Sequence, residues 1–197
     1  MSISLNLKSL FGYAAISDTS NESLMSRYAA KKEKQILAQL YDNCSRDLYH
    51  FLLTLSDVEL ANDIAQLTWL KVIDKSHLYQ ASGSFKSWLF TLGRRTLIDE
   101  FRKLQRFDEL QEQHLPIDDK APEQSIVKEQ QESAFEERFK QALGNLPFLQ
   151  KEAFCLQQEG FSLSDIAQIT YSETETVKSR LRYAKSSLRK SLEVQDD

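Results

Sequence analysis

Apolar positions recur every three or four residues along most of this chain, and their rhythm divides it into three stretches. From about Ser23 to Arg106 the pattern is helical. Ile36, Leu37, Leu40, Tyr41, Cys44, Leu48, Phe51, Leu52 and Leu55 fall on one stripe. Ser56-Asp57-Val58-Glu59 reads as a capping box, with Ser56 and Glu59 satisfying free backbone donors of a second helix. That helix is expected to turn Leu60, Ile64, Leu67 and Ile73 inward. A break at Tyr79-Gln80-Ala81-Ser82-Gly83-Ser84 precedes a long helix from Phe85 to about Arg106. Phe85, Leu89, Leu92, Leu97 and Phe101 form its apolar side. Gly93 in its middle costs roughly 1 kcal/mol relative to alanine, which close helix packing would offset.

The pattern fades between residues 107 and 133. Asp108, Glu109, Glu112, Asp118, Asp119, Glu123, Glu129 and Glu132 face only Lys120 and Lys128, and Pro116 and Pro122 interrupt the stretch. It reads as a flexible acidic linker. Helical spacing returns over residues 134–192, where Phe135, Phe139, Leu143, Leu146, Phe148, Leu149, Ala153, Phe154 and Leu156 supply a small core. The expected fold is all-α: two small helical domains, 28–106 and 134–192, joined by the linker. Residues 1–27 form an extension without an assigned pattern, and 193–197 a tail.

Within the third stretch, Ser162 can cap a short helix whose inward residues are Leu163, Ile166, Ala167 and Ile169. Ser172-Glu173-Thr174-Glu175 reads as another capping box. It opens a helix with Val177, Leu181, Ala184 and Leu188 inward, at spacings of four, three and four. A short helix, a tight turn and a longer helix make a helix-turn-helix, the unit that lays its second helix in the major groove of DNA.

Charge sharpens this. The chain of 197 residues has a formal net charge of -4, yet between Thr176 and Leu192 it holds Lys178, Arg180, Arg182, Lys185, Arg189 and Lys190 and no acid. Residues near the start of such a helix reach base edges and those farther along meet phosphate. Thr176, Lys178, Ser179, Arg180, Arg182, Tyr183 and Lys185 are the expected DNA contacts. For Arg189 and Lys190, phosphate contact and simple complementarity to the helix dipole stand level.

A second basic face lies on the helix from Phe85. Steps of three and four join Trp88, Thr91, Arg95, Asp99, Arg102 and Arg106, with Arg94 and Lys103 beside them. Cations follow a phosphate backbone, and an aromatic ring stacks an unpaired base with roughly 1–3 kcal/mol. Such a face suits partly melted DNA. Trp88 sits at the boundary with the apolar side, and the pattern leaves it open between core residue and stacking surface.

Other chemistries find no support. Cys44 and Cys155 stand alone among apolar neighbours, as buried reduced thiols do. His50, His77 and His114 are scattered, so neither a metal nor any other cofactor is expected. No paired carboxylates or nucleophile constellation points to an enzyme. No run of about 18 apolar residues spans a membrane, and the N-terminus lacks the form of a secretion signal, so a cytoplasmic protein is expected.

Taken together, the segments resemble the bacterial RNA polymerase sigma factors of the extracytoplasmic-function (ECF) type. Gly83-Ser84-Phe85-Lys86-Ser87-Trp88-Leu89-Phe90-Thr91-Leu92, followed by Arg94, Asp99 and Arg102, is similar to their promoter-melting and minus-ten segment. Asp63-Ile64-Ala65-Gln66-Leu67-Thr68-Trp69 is similar to their core-binding helix. Thr176-Val177-Lys178-Ser179-Arg180-Leu181 and Ala184 match their minus-thirty-five recognition helix. The resemblance implies docking on the β′ clamp through Asp63, Gln66 and Trp69. It also implies a flipped minus-ten base in the loop from Leu78 to Ser84, with Arg94, Arg95, Arg102 and Lys103 on the DNA backbone, and a second domain seated on the β flap. An anti-sigma partner is implied as well. The sequence departs from the family pattern at Leu67, Arg95, Tyr171 and Ser172. Tyr171 would be strained if the turn demands a positive φ. A self-sufficient helix-turn-helix regulator is the alternative reading.

Overall fold

The computed structural model describes residues 20–80, 83–104 and 130–193, which include eight α-helices. They are α1 (Asn21–Lys31), α2 (Lys34–Leu55), α3 (Val58–Lys75), α4 (Phe85–Lys103), α5 (Gln130–Gly144), α6 (Phe148–Gln158), α7 (Leu163–Thr170) and α8 (Thr174–Glu193), with a 3-10 turn at Ser76–Leu78. The described residues contain no strand. The fold is all-α as the periodicity predicts. Most of the acidic stretch and Arg106 lie outside the described residues, while α5 begins at Gln130, inside residues 107–133.

Helices α1–α4 form one unit. The α2 stripe is buried at Ile36, Leu40, Cys44, Leu48, Phe51, Leu52 and Leu55, whereas Tyr41 is exposed. Ser20 caps helix α1, its hydroxyl accepting from Ser23 N, and the helix buries Leu24, Met25 and Tyr28 in the same core. Residues 21–27, unassigned by pattern, thus belong to this unit.

Helix α3 departs from expectation twice. Its cap is Asp57, whose carboxylate accepts from Leu60 N at 2.8 Å, while Ser56 Oγ donates back to Leu52 O. Its buried face is Ala61, Ile64, Thr68, Trp69 and Val72, and it leaves Leu67 and Ile73 exposed. A single helix cannot bury every apolar residue on it. Trp69, larger than Leu67, takes the inward position.

Gly93 sits where α4 packs against Leu48 of α2 and Thr68 of α3. A Cβ there would lie 2.8 Å from Leu48 Cδ1 and 3.6 Å from Thr68 Oγ1. Contact, not helix propensity, selects glycine at this point.

Helices α5–α8 form the second unit. Ala142 of α5 and Leu146 just after it pack with Ala184 and Leu188 of α8, beside Phe139, Leu143 and Phe154. Phe135, expected in this core, is 50% exposed at its edge. The helix-turn-helix forms: Ile166, Ala167 and Ile169 of α7 are buried with Val177 and Leu181 of α8, and Leu163, expected inward, is half-buried. Ser162 and Asp165 make a reciprocal capping box at the start of α7.

The two units share one continuous core rather than standing apart. Phe90 of α4 meets Phe161, between α6 and α7, with ring centroids 4.9 Å apart. Phe101 meets Phe148 at 5.9 Å. Lys86 reaches across to Glu159 at 2.9 Å while also holding Asp47 at 2.8 Å. Burial lowers the Lys86 pKa, but its bonds to the two carboxylates outweigh that and hold it above the ordinary lysine value.

Candidate nucleic-acid interface

Two cationic surfaces stand on this frame. The first is the outer face of α4. Ser84 caps the helix, accepting from Ser87 N. Before it, the chain turns at Tyr79, whose ring packs edge-on against Trp88 (5.3 Å) and Phe85 (6.1 Å). Phe85 is fully buried and touches Trp69, which in turn meets Tyr41. Trp88 is half-buried, with one side on this aromatic cluster. Burial, with Glu22 second, pushes the Tyr79 hydroxyl pKa up and keeps it neutral.

Along the same face Arg95, Arg102 and Lys103 are exposed and Asp99 is half-exposed. Arg102 lies 3.8 Å from Asp99, and Lys103 pairs with Glu100 at 2.8 Å. Both are exposed i,i+3 pairs, worth little against a phosphate competitor. Beneath them Lys71 Nζ donates to Thr96 Oγ1 at 2.8 Å, tying α3 to α4.

Arg94 does not share that exposure. Its side chain is 11% exposed and grips Glu152 of α6 with two bonds, Nε to Oε1 at 2.7 Å and Nη2 to Oε2 at 3.1 Å. Glu152 is completely buried. In this arrangement Arg94 serves the contact between units, not the open face where the sequence places it. Trp69 is likewise corrected: at 7% exposure it is a core residue, while Asp63 and Gln66 of the same helix are exposed.

The second surface is α8. Thr176, Lys178, Arg182, Tyr183 and Lys185 are exposed and Ser179 is half-exposed. Lys178 pairs with Glu175 at 2.6 Å on the open surface, and Arg182 lies over the Tyr183 ring at 5.1 Å. A groove of about 640 Å³ runs beside them, lined by Leu163, Lys178, Arg182, Lys185 and Arg189 among others.

Arg180 turns the other way. Its Nη1 donates to Ser172 Oγ at 2.8 Å, fastening the turn to the helix, and burial lowers its pKa. Ser172 therefore does not cap α8 as expected. Its hydroxyl donates to Thr170 O and accepts from Arg180.

The turn itself demands a left-handed residue. Ser172 N donates to Ala167 O five residues back, the closing bond of a Schellman cap, and Tyr171 between them has φ 52° and ψ 46°. The end of α6 repeats the bond, from Phe161 N to Leu156 O, with Gly160 at φ 86°. Tyr171 thus occupies a position that glycine fills at the other cap, as its place in the sequence predicts.

Glu22, Lys86 and Glu152 escaped the sequence reading. Glu152 left a trace: Phe148, Glu152 and Leu156 follow each other at steps of four, which puts a carboxylate inside an apolar stripe. Such a residue needs a buried cation. Nothing local marks Glu22. Among the described residues no cluster of three or more His, Cys, Asp or Glu could hold a metal, and no helix is long and apolar enough to cross a membrane.

Residues 40–107 match the Sigma-70 region 2 family. The ECF RNA polymerase sigma factor EcfG of Rhodopseudomonas palustris is 32% identical over 141 residues, which is 70% of this chain and 75% of that protein. The ECF sigma factor SigC of Mycobacterium tuberculosis is 26% identical over 186 residues, 93% and 97% of the two chains. Among solved structures, the sigma factor RpoE of Bartonella quintana, in complex with the anti-sigma factor NepR, superposes with TM-score 0.63 at 31% identity. That match covers 80% of this chain and 97% of the other. CnrH, solved with the cytosolic domain of CnrY, shares the fold with TM-score 0.64 at 18% identity, covering 91% and 100%. With a paired basic helix and helix-turn-helix on one helical frame, and relatives matched over most of their length, this chain belongs to the ECF RNA polymerase sigma factors.

Proposed function

We propose that this sigma factor binds core RNA polymerase and reads a promoter at two points, as its two exposed cationic surfaces suggest. The exposed edge of α3, with Asp63 and Gln66 beside Leu67 and Leu70, suits the β′ clamp. The α4 face takes the minus-ten element: Arg95, Arg102 and Lys103 lie on phosphates, Asp99 beside them, and Trp88 with Tyr79 offers a surface for an unpaired base. Helix α8 takes the minus-thirty-five element in the major groove, with Thr176, Lys178, Ser179, Arg182, Tyr183 and Lys185 toward the DNA. The second unit rests on the β subunit. The protein acts in the cytoplasm with its polymerase and is held inactive by an anti-sigma factor, as the complexes of its relatives suggest.

The observation that carries this reading is that two cationic faces, of different character, stand on separate units of one chain. One is headed by a half-buried tryptophan suited to melted DNA; the other is a helix-turn-helix suited to duplex. A lone repressor needs only the second. Elements named for positions about 25 base pairs apart lie roughly 85 Å apart on B-form DNA. Units locked through Arg94 and Glu152 cannot reach both, so reading requires them to part.

Run-off transcription tests the proposal. Purified protein added to bacterial core polymerase and a promoter library should produce transcripts that core alone does not. Tight binding to duplex DNA without any redirected transcription would instead favour a self-sufficient regulator.

A further inference from the structure

We infer that α1 is a brace that fixes the Tyr79–Trp88 aromatic cluster by holding the chain on both sides of it, with Glu22 and Lys32 as positioning residues. The inference rests on the reading of that cluster as the surface for an unpaired base.

The two contacts lie at opposite ends of α1. At its start, Glu22 Oε1 accepts from the backbone N–H of Phe85, the first residue of α4, at 2.8 Å. That N–H is one of the helix-terminal donors without a partner inside α4, and a carboxylate is favoured there by the helix dipole. At the far end Lys32 Nζ donates to Ser76 Oγ, and Ser76 Oγ donates on to Ile73 O at 2.7 Å. Ser76 begins the turn that leads to Tyr79, whose N–H returns to Ser76 O. One rigid helix thus fixes the points at which the chain enters and leaves the cluster, 44 and 63 residues away in sequence.

Helix α1 is itself anchored. Leu24, Met25 and Tyr28 are buried, and Asn21 holds α2 through Asn43 Nδ2, which donates to Asn21 Oδ1 at 2.8 Å. Among the described residues, ring packing and the weak bond from the Tyr79 hydroxyl to Gly83 O hold Tyr79 against the Trp88 side of the cluster. A stacking surface must be preorganised to trap a base during melting.

The test uses the full chain with core polymerase on the strongest template from the run-off assay. Permanganate reactivity of unpaired thymines reports the rate of melting, and filter binding in the cold reports closed-complex affinity. Glu22→Ala should slow melting about tenfold with little change in closed-complex affinity. Glu22→Gln, which keeps an acceptor, should stay within about threefold of wild type. Lys32→Met should slow melting from the opposite side. Trp88→Ala runs in parallel. If it slows melting while Glu22→Ala and Lys32→Met do not, the brace is refuted and the cluster stands. If Trp88→Ala has no effect either, the reading of the cluster fails with it. Equal losses of melting and closed-complex affinity in the α1 variants would also overturn the brace, since α1 would then be only a structural prop.

Discussion

Arg94 and Glu152, 58 residues apart in the chain, meet in a two-bond ion pair at the seam between the two helical units. The carboxylate is fully buried and the guanidinium nearly so. Removing one member of such a pair strands the other, at about 3–5 kcal/mol when the site stays closed. Here the protein has another way out, because parting the units returns Glu152 to water. Arg94→Ala should therefore increase the radius of gyration in small-angle X-ray scattering while helical circular dichroism is retained. An unchanged radius would show that the pair does not hold the units together.

Gly93→Ala pits helix propensity against space. Alanine adds roughly 1 kcal/mol of intrinsic helix stability. Its methyl would sit 2.8 Å from Leu48 Cδ1, a terminal methyl of a fully buried side chain, so Leu48 must shift within the packed core. Overpacking costs about 1–3 kcal/mol, so a net loss is expected in urea unfolding. In a Leu48→Ala background the same substitution should become neutral or favourable. Additive losses in that double-mutant cycle would mean that the contact is not the cause.

Tyr171 carries strain that glycine would release. A left-handed conformation costs a non-glycine residue about 1–2 kcal/mol, and glycine's extra freedom in the unfolded chain returns roughly 0.5–1 of it. Tyr171 is 69% exposed, so little packing is lost. Tyr171→Gly should raise the melting temperature, and Gly160→Ala, at φ 86° with open space around its Cβ, should lower it. A fall in both variants would contradict the argument.

The thiols give a pH signature. Burial pushes Cys44 up to about 11 and Cys155 up to about 12, from an ordinary 9.0. A folded-state value raised above the unfolded one means that stability is intact below pH 9 and falls as the unfolded thiols ionise above it. The slope is about 1.4 kcal/mol per pH unit for each thiol over that window. Both cysteines should resist alkylation at pH 8 and react once the chain unfolds. Rapid labelling of the native protein at that pH would contradict their burial.

The helix-turn-helix was legible because its information is local. The spacing of Val177, Leu181, Ala184 and Leu188, the Ser162 cap and the place of Tyr171 are each decided within a few residues. The long-range choices were not. Which of Leu67 and Trp69 turns inward on α3 depends on what α2 and α4 present, since a helix with apolar residues on several sides has no unique inward face. The same holds for the cations. Arg94 and Arg95 are neighbours with equal claim on DNA, and only the arrival of Glu152 from the other unit separates them. Glu22 acts 63 residues from its own position, where no periodicity reaches.

In the proposed function, two readers on one chain act together on a promoter. Hydroxyl-radical footprinting of the complex with core polymerase tests it most directly. Two protected blocks about two and a half helical turns apart are expected, with unpaired bases only in the downstream one. Lys178→Ala with Arg182→Ala should erase the upstream block alone, each good base contact being worth roughly 1–3 kcal/mol. A single continuous footprint on unmelted duplex, lost as a whole in that double variant, would contradict it.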